Sequence, residues 1–111
     1  MRFTLSVEAG SDLGNIWDYT NDNWGELQAD RYIDQLHERF LWLAENPKLG
    51  MERSEIAQNY RSYIEGKHCI FYREMEEGIE IIAIPHQRED VIQHLSFDHS
   101  IEQQPEQEIT Y

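Results

Sequence analysis

Lysine and arginine are scarce in this chain: nine stand against 22 aspartates and glutamates over 111 residues, for a formal net charge of -13. None occurs after Arg88, whereas six of the nine, Lys48, Arg53, Arg61, Lys67, Arg73 and Arg88, lie between positions 48 and 88, the part of the chain where the strands are expected. So acidic a chain repels phosphate backbones, which disfavours direct nucleic-acid binding. A solvated acidic surface accounts for the imbalance. Cysteine is nearly absent. Cys69 stands alone inside the apolar run His68 to Tyr72, so no intrachain disulfide forms and a buried structural thiol is expected. His37, His68, Cys69, His94 and His99 show no structural-zinc spacing, and no metal or cofactor is expected. There is no stretch of about 18 apolar residues to span a bilayer. No basic segment leads into an apolar run with a small-residue cleavage site. A cytoplasmic protein without membrane contact is the expectation.

What is present suffices for one core. A hydrophobic content of 40% in 111 residues supports a single domain over residues 1–97. Residues 98–111 are polar, acidic and without pattern, and are expected to form a mobile tail. Phe3, Leu5 and Val7 alternate with Arg2, Thr4 and Ser6, the period of a short half-buried strand at about residues 2–6. From Glu8 the period lengthens. Leu13, Ile16, Trp17, Thr20 and Trp24 fall on one stripe of a helix that Gly25 ends. Gly10 and Gly14 each cost this helix roughly 1 kcal/mol against alanine, so its start is expected to be weak and its hold to come from the aromatic stripe.

Ala29, Tyr32, Ile33, Leu36, Phe40, Leu43 and Ala44 then keep one face over four turns, predicting a second helix over Glu26 to Glu45 that Pro47 closes. With only Gly25 between them, two amphipathic helices must fold back on each other to bury both stripes. Residues 47–59 lack periodicity and read as a loop, with one helical turn near Ser54 to Gln58. Strands are predicted at Arg61 to Glu65, Cys69 to Glu74 and Ile79 to Ile84, parted by turn signals at Gly66-Lys67 and Glu76-Glu77-Gly78. The run Ile79, Ile81, Ile82, Ile84 suits a strand buried on both faces and central in the sheet, closed by Pro85. A short helical turn is expected near Asp90 to Leu95. The fold class is therefore α+β: an N-terminal strand, then an antiparallel helix hairpin packed on an antiparallel sheet, in the order β-α-α-β-β-β.

That order carries a set of local phrases: Asp12-Leu13 with Ile16-Trp17-Asp18-Tyr19, Trp24-Gly25, Gln28-Ala29-Asp30-Arg31-Tyr32, and Leu43-Ala44-Glu45-Asn46-Pro47 with Gly50. Arg61-Ser62-Tyr63, Gly66-Lys67-His68, Ile70-Phe71-Tyr72-Arg73 and His86-Gln87-Arg88 follow. Together they resemble ParE-type toxins of the ParE/RelE superfamily across about residues 3–95. The resemblance implies a toxin that a ParD-like antitoxin neutralises and that poisons DNA gyrase when free, without being an enzyme. Two alternatives are a degenerate module that binds an antitoxin without toxicity and a RelE-like ribosome-dependent messenger RNA endonuclease. The latter needs cations near the last strand and C-terminal segment to stabilise a developing phosphorane. After Arg88 this chain offers only acids, which weighs against it.

His86, Arg88, Arg61 and Lys67 are candidates for one patch on the sheet. Arg61, His86 and Arg88 are the residues to carry toxicity, the two arginines by pairing with acidic groups on the target. For His86, a hydrogen-bonded role at the strand end is preferred to that of a general base. Trp17, Trp24, Tyr32 and Phe40 are read as core. Leu27, Leu41 and Trp42 fall away from the buried stripe of the second helix, so they are candidates for exposed contacts with the antitoxin, against the alternative of ordinary surface scatter.

Overall fold

The computed structural model describes residues 2–88. The expected helical turn near Asp90, the mobile tail and the domain boundary at 97 lie outside the described residues. Five strands and two helices follow in the order β1 (Arg2–Leu5), α1 (Val7–Trp24), α2 (Glu26–Glu45), β2 (Met51–Glu52), β3 (Tyr60–Glu65), β4 (His68–Met75) and β5 (Gly78–Ala83). The sheet order is β1-β5-β4-β3-β2. From β2 to β5 every pairing is antiparallel, as the short links require. β1 instead lies parallel to β5, with Phe3 opposite Ile79 and Leu5 opposite Ile81, so the sheet is mixed where the sequence suggested an antiparallel one. The whole helix hairpin and meander separate β1 from β5 in the chain, and such a connection permits a parallel neighbour. β5 is interior, but the central place expected for it is held by β4.

Helix α1 starts one residue earlier than expected because Ser6 caps it. The Ser6 hydroxyl accepts the Ala9 N–H at 3.0 Å and donates to the Ile82 carbonyl at 2.7 Å, so one side chain both opens the helix and anchors it to β5. A cap of this kind is worth about 1 kcal/mol, comparable to the cost of one of the internal glycines. At the far end Gly25, with φ 94°, closes α1 and lets α2 begin at the next residue. Gly78 opens β5 at φ 147°, where any Cβ would collide with the Arg2 carbonyl of the parallel neighbour.

The helices cover one face of the sheet. Ala9 and Ile16 from α1, then Leu36, Phe40, Leu43 and Ala44 from α2, meet Ile70, Tyr72, Ile79, Ile81 and Ile84. Each large side chain buried here contributes roughly 1.5–3 kcal/mol. Cys69, Phe71 and Ala83 form a second buried cluster on the opposite face, with Ile56 and Ile82 against it. Cys69 is buried and free, as expected.

Between α2 and β3 the chain adds to the predicted loop a 3-10 turn at Pro47–Leu49 and a short edge strand at Met51–Glu52; the turn expected near Ser54 is there, the Ile56 and Ala57 N–H groups both reaching the Arg53 carbonyl, at 2.9 and 3.4 Å. Proline starts the 3-10 turn because its φ is already helical and its missing N–H has no partner to lose there. The aromatic stripe of α1 also departs from expectation: Ile16 and Thr20 are buried, but Trp24 is 61% exposed. Trp17 is only partly buried and gives its indole N–H to Asp30 at 2.9 Å, tying α1 to α2.

Candidate functional site

Where α1 passes the end of the sheet, the β5 ladder stops at Ala83 and the next N–H needs an acceptor. Asp12 supplies it, its carboxylate taking the Ile84 N–H at 2.7 Å. Along the next two turns Asn15, Ile16 and Tyr19 face His68, Ile84 and His86 across a cleft of about 310 Å³. The two histidines come from the open end of the β4–β5 hairpin. His68 begins β4, His86 follows β5, and an antiparallel bridge joins them, flanked by Cys69 N–H to the Pro85 carbonyl at 2.9 Å and Gln87 N–H to the Lys67 carbonyl at 2.8 Å. Their rings meet edge to face, 5.3 Å between centroids.

Tyr32 organises this corner from α2. Its hydroxyl accepts the Lys67 N–H at 3.0 Å, with His68 Nδ1 at 2.7 Å and the Glu65 carbonyl at 3.4 Å. Burial raises the Tyr32 phenol above its ordinary value, the Lys67 N–H opposes that, and the Glu65 charge adds to it. His86 is constrained in the same way, its Nδ1 accepting the Arg88 N–H at 3.0 Å. Asp12 and His86 thus each commit one polar atom to holding the backbone, and His68 commits its Nδ1 to the Tyr32 hydroxyl. The hydrogen-bonded His86 expected at the strand end is what the structure contains.

Arg61 does not join this corner. Its register partner is Tyr72, whereas His68 pairs with Glu65, four residues further along β3, a separation of about 13 Å. The Arg61 side chain is only 13% exposed and clamps the loop before β2: Nε to Glu74 at 2.8 Å, Nη1 to the carbonyls of Gly50 at 2.8 Å and Lys48 at 3.3 Å. Tyr72 completes the clamp by accepting the Gly50 N–H at 3.0 Å and donating to the Pro47 carbonyl at 2.7 Å. The single patch anticipated for His86, Arg88, Lys67 and Arg61 therefore divides. The first three lie on two neighbouring segments beside the cleft, the β3–β4 turn with Lys67 and the stretch after β5 with His86 and Arg88, and Arg61 belongs to the loop.

On α2, Leu27 is 66% and Leu41 45% exposed, as the helical phase predicts. Trp42, expected to be exposed, is partly buried against the core. Its ring meets Tyr63 edge to face at 5.4 Å and carries the Arg39 guanidinium at 4.6 Å. Arg39 in turn reaches Glu65 at 2.7 Å. A residue at about −120° from the helix stripe still touches the sheet, because β3 extends beneath that flank of α2.

The family described as "ParE toxin of type II toxin-antitoxin system, parDE" matches residues 3–91. The chain belongs to the ParE toxin family. Among its relatives, Toxin ParE1 of Mycobacterium tuberculosis is 40% identical over 95 residues, 85% of this chain and 97% of that protein. Toxin ParE1 of Caulobacter vibrioides is 34% identical over 93 residues, covering 84% and 96%. Toxin ParE of Escherichia coli is 30% identical over 95 residues, covering 85% and 92%. A solved structure titled "Chromosomal ParDE TA system from P. aeruginosa" superposes with a TM-score of 0.65 over 78% of this chain and 95% of that one; at 19% identity it speaks to the ParE fold alone. No helix among the described residues is long and apolar enough to cross a membrane, and among them no group of His, Cys, Asp or Glu is placed to hold a metal ion.

Within this ParE fold, sequence reasoning passed over Asp12, Asn15 and Tyr19 as site residues and took Tyr32 for core. One signal was available. Asp12 stands four residues before Ile16 and eight before Thr20, so a carboxylate on the buried face of α1 had to have a partner there.

Proposed function

We propose that this ParE-family chain is a toxin held inactive by a ParD-like antitoxin and that, when free, it poisons DNA gyrase in the cytoplasm. The observation that carries the reading is the match along residues 3–91, with the M. tuberculosis toxin covered over 97% of its length. Action on a protein target also suits the charge. Of the nine Lys and Arg, Arg39, Lys48, Arg53, Arg61 and Arg73 sit in ion pairs, leaving few to displace counterions from DNA. Catalysis is not required. His86 and Asp12 serve backbone groups, His68 is engaged by Tyr32, and among charged residues the chain carries only acids after Arg88.

Arg88 and His86 are the residues to which the reading assigns toxicity. Arg88 is exposed and meets acidic groups on the target, while His86 shapes the turn that presents it. Leu27, Leu41 and the edge of Trp42 lie on the antitoxin's path. Expression from a tight inducible promoter should arrest growth, and co-expression of the neighbouring antitoxin frame should restore it. Unimpaired growth with the folded protein present would replace the toxin by a degenerate antitoxin-binding module. Codon-specific cleavage of messenger RNA on ribosomes would replace gyrase as the target.

A further inference from the structure

We infer that the tip of the helix hairpin, built around Tyr19, Trp24 and Leu27, is the surface that selects the antitoxin, and that it takes a cationic amphipathic segment. The inference rests on the toxin–antitoxin reading above. Those three side chains are 62%, 61% and 66% exposed and lie together, whereas Val7 and Met51, the large apolar groups still more exposed, stand elsewhere. Trp24 and Tyr19 meet edge to face, 6.2 Å between centroids, and Leu27 opens α2 just beyond Gly25. Trp17, two turns earlier, is fastened to Asp30; Trp24 has no such tie. Tyr19 is the last residue of α1 that lines the cleft with the sheet, and Trp24, five residues further on, stays largely exposed with Tyr19 as its ring partner. An aromatic cluster left outside and rimmed by polar groups is the composition of an interface anchor.

The rim decides the occupant. Between Asn15 and Asp30 the chain carries four acids and no cation. Asp18, Asp22 and Glu26 are exposed and take part in no ion pair among the described residues. A second copy of this chain would bring the same acids and the same net charge of -13, and anionic lipid or nucleic acid is repelled likewise. Apolar anchors flanked by Lys or Arg satisfy both parts of the surface. From Asp12 at the cleft to Trp24 the face runs twelve residues of α1, about 18 Å, which a helical segment of about the same length covers.

The test uses the antitoxin from the neighbouring frame as the probe, with binding measured by calorimetry and association rates by surface-based kinetics. Trp24→Ala and Tyr19→Ala should each leave the melting temperature in place. Trp24→Ala should weaken binding about thirtyfold or more, the scale of an interface hot spot. The triple change Asp18→Asn, Asp22→Asn, Glu26→Gln should slow association and flatten its dependence on salt. Met51→Ala, at an exposed apolar site on the far edge strand, should change nothing. Affinity within about threefold of wild type for Trp24→Ala and for the pair with Tyr19→Ala would overturn the inference. So would a variant that keeps its antitoxin but loses toxicity, since the tip would then face the target. If the unaltered protein binds no antitoxin, the toxin–antitoxin reading itself fails and this inference with it.

Discussion

Replacing Arg61 by alanine should unfold the loop that precedes β2 and lower the stability of the whole domain. The guanidinium is 13% exposed and joins four groups: Glu74 at 2.8 Å, the Gly50 carbonyl at 2.8 Å, the Lys48 carbonyl at 3.3 Å and Glu52 at 3.4 Å. Glu52 is 75% exposed, and such a pair contributes little. The contacts to Glu74 and Gly50 are charge-assisted and sheltered, at roughly 1.5 kcal/mol each or more. Their loss leaves Glu74 with only Lys48, itself 75% exposed. The expected cost is about 3 kcal/mol, which lowers the melting temperature of a domain this size by about 15 °C. Arg61→Lys keeps the charge beside Glu74 but cannot fork to two carbonyls, and should lose about half as much. Thermal and urea denaturation followed by circular dichroism measure both. A melting temperature for Arg61→Ala within about 2 °C of wild type would refute the clamp. If the clamp holds, a loss of toxicity in that variant reports the fold and not a contact with the target.

Tyr32→Phe keeps the ring and removes the hydroxyl that Lys67 and His68 share, so it should cost about 2 kcal/mol; an unchanged urea midpoint would contradict its role. Burial raises the phenols of Tyr32 and Tyr72 and the thiol of Cys69 above their ordinary values. Groups shifted upward stabilise the fold fully below their unfolded pKa values, about 8.5 to 10, and that contribution fades as pH rises through the folded ones. Urea midpoints should therefore fall steadily above about pH 9, and a flat profile to about pH 11 would contradict the burial of all three. Arg88→Ala removes an exposed side chain while the backbone N–H to His86 remains, so it should melt within about 2 °C of wild type and lose growth arrest; full toxicity would remove Arg88 from the target face.

Elements with a strong period were legible from the residues. Helix α2 appears with its predicted bounds because seven apolar positions hold one face and Pro47 cannot continue it. Strand β2, two residues long, carries no period to detect. The parallel seat of β1 is a pairing between residues more than seventy positions apart, which local pattern does not encode. Trp24 fits the stripe of α1 by phase alone, yet it stays largely exposed. At the site, a hydrogen-bonded histidine just after β5 was legible from the place of His86 in the sequence. The separation of Arg61 from it was not, since register rather than composition puts Arg61 opposite Tyr72, away from His68. Tyr32 shows the remaining gap: periodicity reports which way a ring points, not which atoms wait at its hydroxyl.

The central claim is that the free ParE-family protein acts on gyrase, and a supercoiling assay with purified components tests it most directly. Relaxed plasmid, gyrase and ATP are combined with the protein at increasing concentration, with and without excess antitoxin. Inhibition of supercoiling or trapped cleavage complexes should appear only when gyrase is present and should vanish when antitoxin is added, while the protein alone leaves the plasmid intact and unbound. Unimpeded supercoiling by gyrase, at protein concentrations that match those arresting growth in cells, would contradict the account.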